Sequence, residues 1–163
     1  MGQNQQFPDI LNKVQNTKTL IVGIGNTLKG DDGLGPIICE KLIEQKISAD
    51  VIDTGNVPEN YIQTIIKKDP ENLLVIDAAD FGSEPGTIKV FKTGQLNSIG
   101  ISTHCLSPKF FIDMILQSIA PEIYFIGVQP AHTQLGRPVS EKVNNSINEL
   151  CDYLTQTFPP KTN

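Results

Sequence analysis

The chain has 163 residues, 39% of them apolar, with no tryptophan, three cysteines and a formal charge of -5. That length suits one domain with a real core, and the acidic balance leaves no basic stripe for nucleic acid. No stretch approaches the roughly 18 apolar residues of a membrane span, and residues 1–16 lack the charged-then-apolar pattern of a signal peptide, so a cytoplasmic protein without membrane partners is expected.

Residues 1–16 read as a flexible N-terminal extension, 17–158 as the single domain and 159–163 as a frayed tail. The first strand, residues 19–25, is continuously apolar and therefore central. After the run Gly30-Asp31-Asp32-Gly33, Leu34, Ile38 and Leu42 recur every four residues, which predicts a helix with Pro36 in its first turn. Residues 51–53 form a short second strand. Pro58 then opens a helix whose Tyr61, Ile62, Ile65 and Ile66 face inward until Asp69-Pro70 stops it. Residues 73–77 form the third strand. Only nine residues separate Asp77 from Thr87, too few for a parallel crossover, so the strand 87–91 must run antiparallel, at an edge. A Gly-, Ser- and Thr-rich loop leads to His104, and Ser107-Pro108 starts a helix bearing Phe110, Phe111, Met114, Ile115 and Ile119. Residues 122–128 are the fifth strand, and a last helix opens at Pro138 with Val139, Val143, Ile147, Leu150 and Leu154 inward. The expected fold is α/β: a three-layer αβα arrangement around a five-stranded, mostly parallel twisted sheet with one antiparallel edge strand. Nothing in the pattern demands more than a monomer.

The acidic run stands where a nucleotide-binding protein holds phosphate. A helix N-terminus carries free N–H groups and about half a positive charge, and ordinarily receives an anion. Gly23-Ile24-Gly25 begins like a dinucleotide fingerprint, but Leu28 replaces its third glycine. Gly25 and Gly30 have P-loop spacing, yet Asp31 and Asp32 stand where Lys and Ser or Thr should follow. Two carboxylates repel phosphate, so the ligand should be a cation. A plainer reading makes one of them the N-cap of the next helix.

In an open parallel sheet, ligands bind beyond the carboxyl ends of the strands at a topological switch point. Asp32 follows the first strand, Asp53 ends the second, Asp77 ends the third and His104 lies in a later loop, so all four could meet at one edge. Two carboxylates and an imidazole suit zinc, nickel or iron. Against this, Asp77 could cap its own turn, His104 could be an ordinary hydrogen-bonded loop histidine, and His132, in a polar loop, reads as surface. The cysteines number three, with no C-x-x-C pair, and indicate neither a disulfide framework nor a zinc knot. Cys39 and Cys151 fit as small core residues. Cys105 adjoins His104, but neighbours in sequence rarely present their side chains to one another, which speaks against a cysteine protease.

From residue 19 to the last helix, the chain resembles the nickel–iron hydrogenase maturation endopeptidases. The resemblance is carried, in order, by Leu20-Ile21-Val22-Gly23-Ile24-Gly25-Asn26, Gly30-Asp31-Asp32-Gly33 with Gly35-Pro36, Val51-Ile52-Asp53, Pro58-Glu59-Asn60, Leu74-Val75-Ile76-Asp77-Ala78, Pro85-Gly86, Ser102-Thr103-His104 and Gly127-Val128-Gln129-Pro130. It implies a protease that removes the C-terminal extension of a hydrogenase large-subunit precursor after nickel insertion. Asp32, Asp77 and His104 would complete the coordination of nickel carried by the substrate, with Asp31 and Asp53 in support. Two competing readings are a non-enzymatic nickel-binding checkpoint for the same precursor and a nucleotide-binding module, the latter opposed by Asp31 and Asp32.

Overall fold

The computed structural model describes residues 6–98 and 108–162. Along the chain it runs α1 (Gln6–Val14), β1 (Thr19–Gly23), α2 (Leu34–Glu44), β2 (Asp50–Asp53), α3 (Ile62–Lys68), β3 (Asn72–Ala78), β4 (Ile88–Lys92), α4 (Pro108–Leu116), β5 (Glu122–Val128) and α5 (Glu141–Thr157). Short 3₁₀ turns at Gly30–Gly33 and Pro58–Tyr61 lead into α2 and α3. The strands form one sheet in the order β2-β1-β3-β5-β4, parallel throughout except for β4, which pairs antiparallel with β5 at the edge. The short β3–β4 connection dictates that reversal, as expected.

Alternation along the strands builds the three layers. Ile21, Leu74, Ile76, Tyr124, Ile126 and Val128 pack with α1, α2 and α5 on one face. Leu20, Val22, Leu73, Val75, Ile123 and Phe125 pack with α3 and α4 on the other. Within α4 the buried face is Phe111, Ile112 and Ile115, while Phe110 is 48% exposed, so the inward stripe is rotated from the one the sequence suggests.

Residues 1–16 are not the flexible extension the sequence led us to expect over their described part. Phe7, Ile10, Leu11 and Val14 fall at i, i+3, i+4 and i+7 and are all buried, which folds Gln6–Val14 into an amphipathic helix. Phe7 meets Tyr153 of α5 edge-on, with ring centroids 5.6 Å apart. Four apolar residues were diluted by polar neighbours, and their period was the missed signal. At the other end, α5 begins at Glu141 rather than Pro138, because Ser140 is extended (ψ 156°) and bonded elsewhere.

β1 is the switch point: the chain leaves it to build β2 on one side and returns to build β3 on the other. The first turn of α2 is pressed onto the exits of both strands. Ile24 N–H donates to Ile76 O at 2.9 Å, and Gly35 lies over that junction. A Cβ on Gly35 would stand 2.7 Å from Ile24 N and 2.8 Å from Ile76 O, both backbone atoms that cannot swing away. Gly35 thus supplies the close helix–strand approach that Leu28 cannot. Gly35→Ala is expected to destabilise the fold by about 1–3 kcal/mol through overpacking, which a thermal melt should register as a loss of roughly 2–10 °C.

Candidate functional site

The acidic run forms a 3₁₀ turn, Gly30–Gly33, in which both aspartates are buried. Neither caps a helix: Gly33 holds the N-cap position of α2 and no side chain bonds there. That removes the plainer reading, and the two carboxylates instead point to different partners.

Asp32 turns back toward the end of β1. Its Oδ2 accepts the Asn26 N–H at 3.0 Å, while Asn26 Oδ1 accepts the Leu28 N–H at 2.9 Å and so shapes the intervening loop. Gly25 makes this fold possible. Its φ is 151°, and a Cβ there would overlap the Asp32 carbonyl. Asp77 lies at the carboxyl end of β3, paired in register with Gly127 and only 8% exposed. It shares its sheet face with Leu73 and Val75, the face covered by α3 and α4.

Among the described residues, the buried side-chain atoms without a hydrogen-bond partner are Asp32 Oδ1, Asp77 Oδ1 and His132 Nδ1. The first two are carboxylate oxygens of neighbouring groups. Burial drives the Asp77 carboxyl well above the ordinary carboxylate range, and the charge of Asp32 pushes it further, against the Ala78 backbone N–H. Asp32 is also raised by burial, opposed by the Asn26 N–H and the nearby Lys29 charge. The repulsion falls on Asp77, which is the first of the two to take up a proton. Two buried carboxylates with unmet oxygens are costly in isolation, and a cation between them would satisfy both.

Asp31 is committed elsewhere. Its Oδ1 accepts the Ser140 N–H at 2.7 Å; its Oδ2 accepts the Ser140 hydroxyl at 2.8 Å, the Ala131 N–H at 2.8 Å and the His132 N–H at 3.3 Å. Asp53 lies at the same sheet edge, paired with Gly23, but is exposed and does not join Asp32 and Asp77. Its Oδ1 accepts the Gly55 N–H at 2.8 Å, and Gly55 O in turn accepts the Gly25 N–H at 2.9 Å. Asp53 therefore braces the loop beside the acidic turn. His132 is half-buried rather than a surface group, with its ring against Gly30, where a Cβ would stand 2.6 Å from Nδ1. His104 and Cys105 lie outside the described residues.

Sequence reasoning missed Gln129. Buried at the end of β5, its Oε1 accepts the Phe81 and Ser83 N–H groups at 2.8 and 3.3 Å, and its Nε2 donates to Asp80 Oδ1 at 3.1 Å. It pins the loop after β3 next to Asp77; only its place in the Gly127-Val128-Gln129-Pro130 run hinted at this. Cys39 is fully buried and Cys151 half-buried, and burial pushes their thiols up to about 12 and about 11. Both are inert packing groups at neutral pH.

The comparisons with known proteins agree with this architecture. A family model described as hydrogenase maturation protease (HycI) matches residues 38–157. The hydrogenase 3 maturation protease of Escherichia coli K12 is 32% identical over 137 residues, covering 83% of this chain and 87% of that protein. The crystal structure of a [NiFe] hydrogenase maturation protease HycI from Thermococcus kodakarensis superposes with a TM-score of 0.80 at 28% identity, covering 91% of this chain and 97% of that one. The solution structure of an endopeptidase HycI from Escherichia coli gives a TM-score of 0.78 at 29% identity, covering 85% and 90%. With the match of the family model over most of the described chain and the common fold, this protein belongs to the hydrogenase maturation protease family.

Proposed function

We propose that this protein cuts the C-terminal extension from the large-subunit precursor of a nickel–iron hydrogenase once nickel is in place, and that it reads the nickel held by that substrate through Asp32, Asp77 and His104. The observation that carries the reading is the pair of buried, unmet oxygens, Asp32 Oδ1 and Asp77 Oδ1, at the switch point of the sheet. A substrate-borne cation supplies what each lacks. His104 enters on the sequence resemblance alone.

Hard carboxylate oxygens and an imidazole together suit a divalent transition ion and leave positions for the substrate's own ligands. On this reading the ion is a checkpoint as well as a Lewis acid near the scissile carbonyl, and a carboxylate of the pair takes the proton of the attacking water. On this reading the protease acts as a monomer in the cytoplasm, and the nickel it meets belongs to its substrate.

The test is to incubate the protein with purified precursor, nickel-loaded or nickel-free, and weigh the products by mass spectrometry. The nickel-loaded form is expected to lose a C-terminal peptide while the nickel-free form stays intact. Equal shortening of both forms would remove nickel from the reading. Binding of the nickel-loaded form with no shortening would make the protein a non-enzymatic checkpoint.

A further inference from the structure

We propose that Asp31 is a positioning residue: its carboxylate closes the neck of the loop 132–140, and that loop holds the precursor's polypeptide beside the Asp32–Asp77 pair. The substrate half of this statement rests on the function proposed above.

Asp31 is 0% exposed, and no salt bridge reaches it among the described residues. Its charge is compensated wholly by hydrogen-bond donors, and these come from 100 to 109 residues away. They arrive in two groups. Ala131 and His132 bring the start of the loop to Asp31, and Ser140 brings its end to the same carboxylate. Asp31 N–H also donates to His132 O at 3.1 Å, which doubles the tie at the first end. A surface loop of this length with its ends joined is the form of an Ω-loop, a kind of segment that frequently carries function.

The loop's position follows from the sheet order. It leaves β5, and Asp31 follows β1, while β3 lies between those two strands. Residues 129–131 must therefore pass the carboxyl end of β3, where Asp77 sits. Beyond the neck the loop faces solvent: Leu135 is 72% exposed, next to Leu28 at 67%. Gly136 N–H donates to Leu28 O at 2.8 Å and joins these two segments. From Leu28 the chain of bonds runs through Asn26 to Asp32 Oδ2. Leu28 and Leu135, two exposed leucines on segments joined by this bond, are thus fastened at one side to Asp32 and at the other to Asp31. Single exposed leucines are ordinary; two on bonded segments beside a proposed peptide-cutting site fit an extended polypeptide better than solvent.

The test compares wild type with Leu135→Asp, Ser140→Ala and Asp31→Asn, measuring melting temperature, kcat and KM on nickel-loaded precursor, and Kd for the same precursor by biolayer interferometry. Leu135→Asp is expected to keep the wild-type melting temperature and kcat and to raise KM and Kd at least about tenfold. Ser140→Ala, which removes only the hydroxyl donor, should raise both a few-fold. Asp31→Asn, whose amide turns a donor toward backbone N–H groups, should melt lower and raise both as much as Leu135→Asp. A purely structural Asp31 would reduce the active fraction, lowering apparent kcat at constant KM. If KM and Kd of all three variants stay within twofold of wild type, the proposal fails. If wild type binds the precursor without cutting it, proteolysis is lost from the function proposed above, while the Kd series still decides the role of the loop.

Discussion

Asp77→Asn is expected to give a protein that melts above wild type and no longer cuts its precursor. In the metal-free protein the Asp77 carboxyl is enclosed, lies near the charge of Asp32 and has one oxygen without a partner. At neutral pH it must either hold a proton that the unfolded chain has released or bury a charge beside another; both oppose folding. Asparagine has the same shape and carries neither burden, so the melting temperature should rise by a few degrees, at about 2–4 °C per kcal/mol for a chain of this size. Activity should move the other way. On the function proposed above, Asp77 either completes the cation's coordination or takes the proton of the reaction, and its loss should cost about 10²–10⁴-fold. Asp32→Asn should behave alike in activity, with a smaller gain in stability because the Asn26 N–H already supports its charge. Stability and activity are then opposed at one site, the relation expected where a fold keeps a strained arrangement for use. Wild-type cleavage by Asp77→Asn, or a melting temperature well below wild type, would contradict this account.

The contribution of Asp32 and Asp77 to the stability of the metal-free protein should fall as pH rises from about 4. An unfolded Asp77 ionises near pH 3.9; the folded one ionises higher, because of burial first and the charge of Asp32 second. Between those two values the folded state holds a proton that the unfolded state has lost. Raising the pH through that window therefore favours unfolding, and the loss is complete above the folded value. Asp32, raised by burial, acts in the same direction. Asp80, held low by the Gly82 N–H and then by Gln129, acts in the opposite one, so the comparison must isolate the pair. Thermal melts of wild type and Asp32→Asn/Asp77→Asn from pH 4 to pH 8 should coincide at the acid end and separate as pH rises, the variant melting higher. A constant difference across the range would mean that the pair does not titrate as described.

The parts of this architecture that were legible in the sequence were those with local causes. Continuous apolar runs marked the central strands, and the nine-residue link after Asp77 forced the antiparallel edge. A charge reversal in a phosphate-loop position marked the acidic turn. What stayed hidden depended on distance. Nothing near Ser140 announces that its N–H and hydroxyl belong to a carboxylate 109 residues earlier, and this bond is why α5 starts three residues later than its apolar period suggests. Asp31 and Asp32 are adjacent and chemically identical; the resemblance alone set Asp32 as ligand and Asp31 as support, and the folded chain adds that Asp31 is saturated with donors while Asp32 keeps a free oxygen. Asp53 was grouped with the pair by its place at a strand end, which is right for the edge; its side chain, however, serves the neighbouring turn. Helix α1 was passed over because a polar composition concealed its period.

The bonds of Asp31 also set an order of events during synthesis. The acidic turn leaves the ribosome early, yet all four hydrogen-bond donors to the Asp31 carboxylate belong to Ala131, His132 and Ser140. At translation speeds of roughly 5–20 residues per second, the turn waits about 5–20 s for them. Throughout that interval the carboxylate has to stay in water, so β1 and the first turn of α2 cannot take up their final packing around it. The newborn chain thus completes the edge that carries Asp31 and Asp32 only after residue 140 has been made.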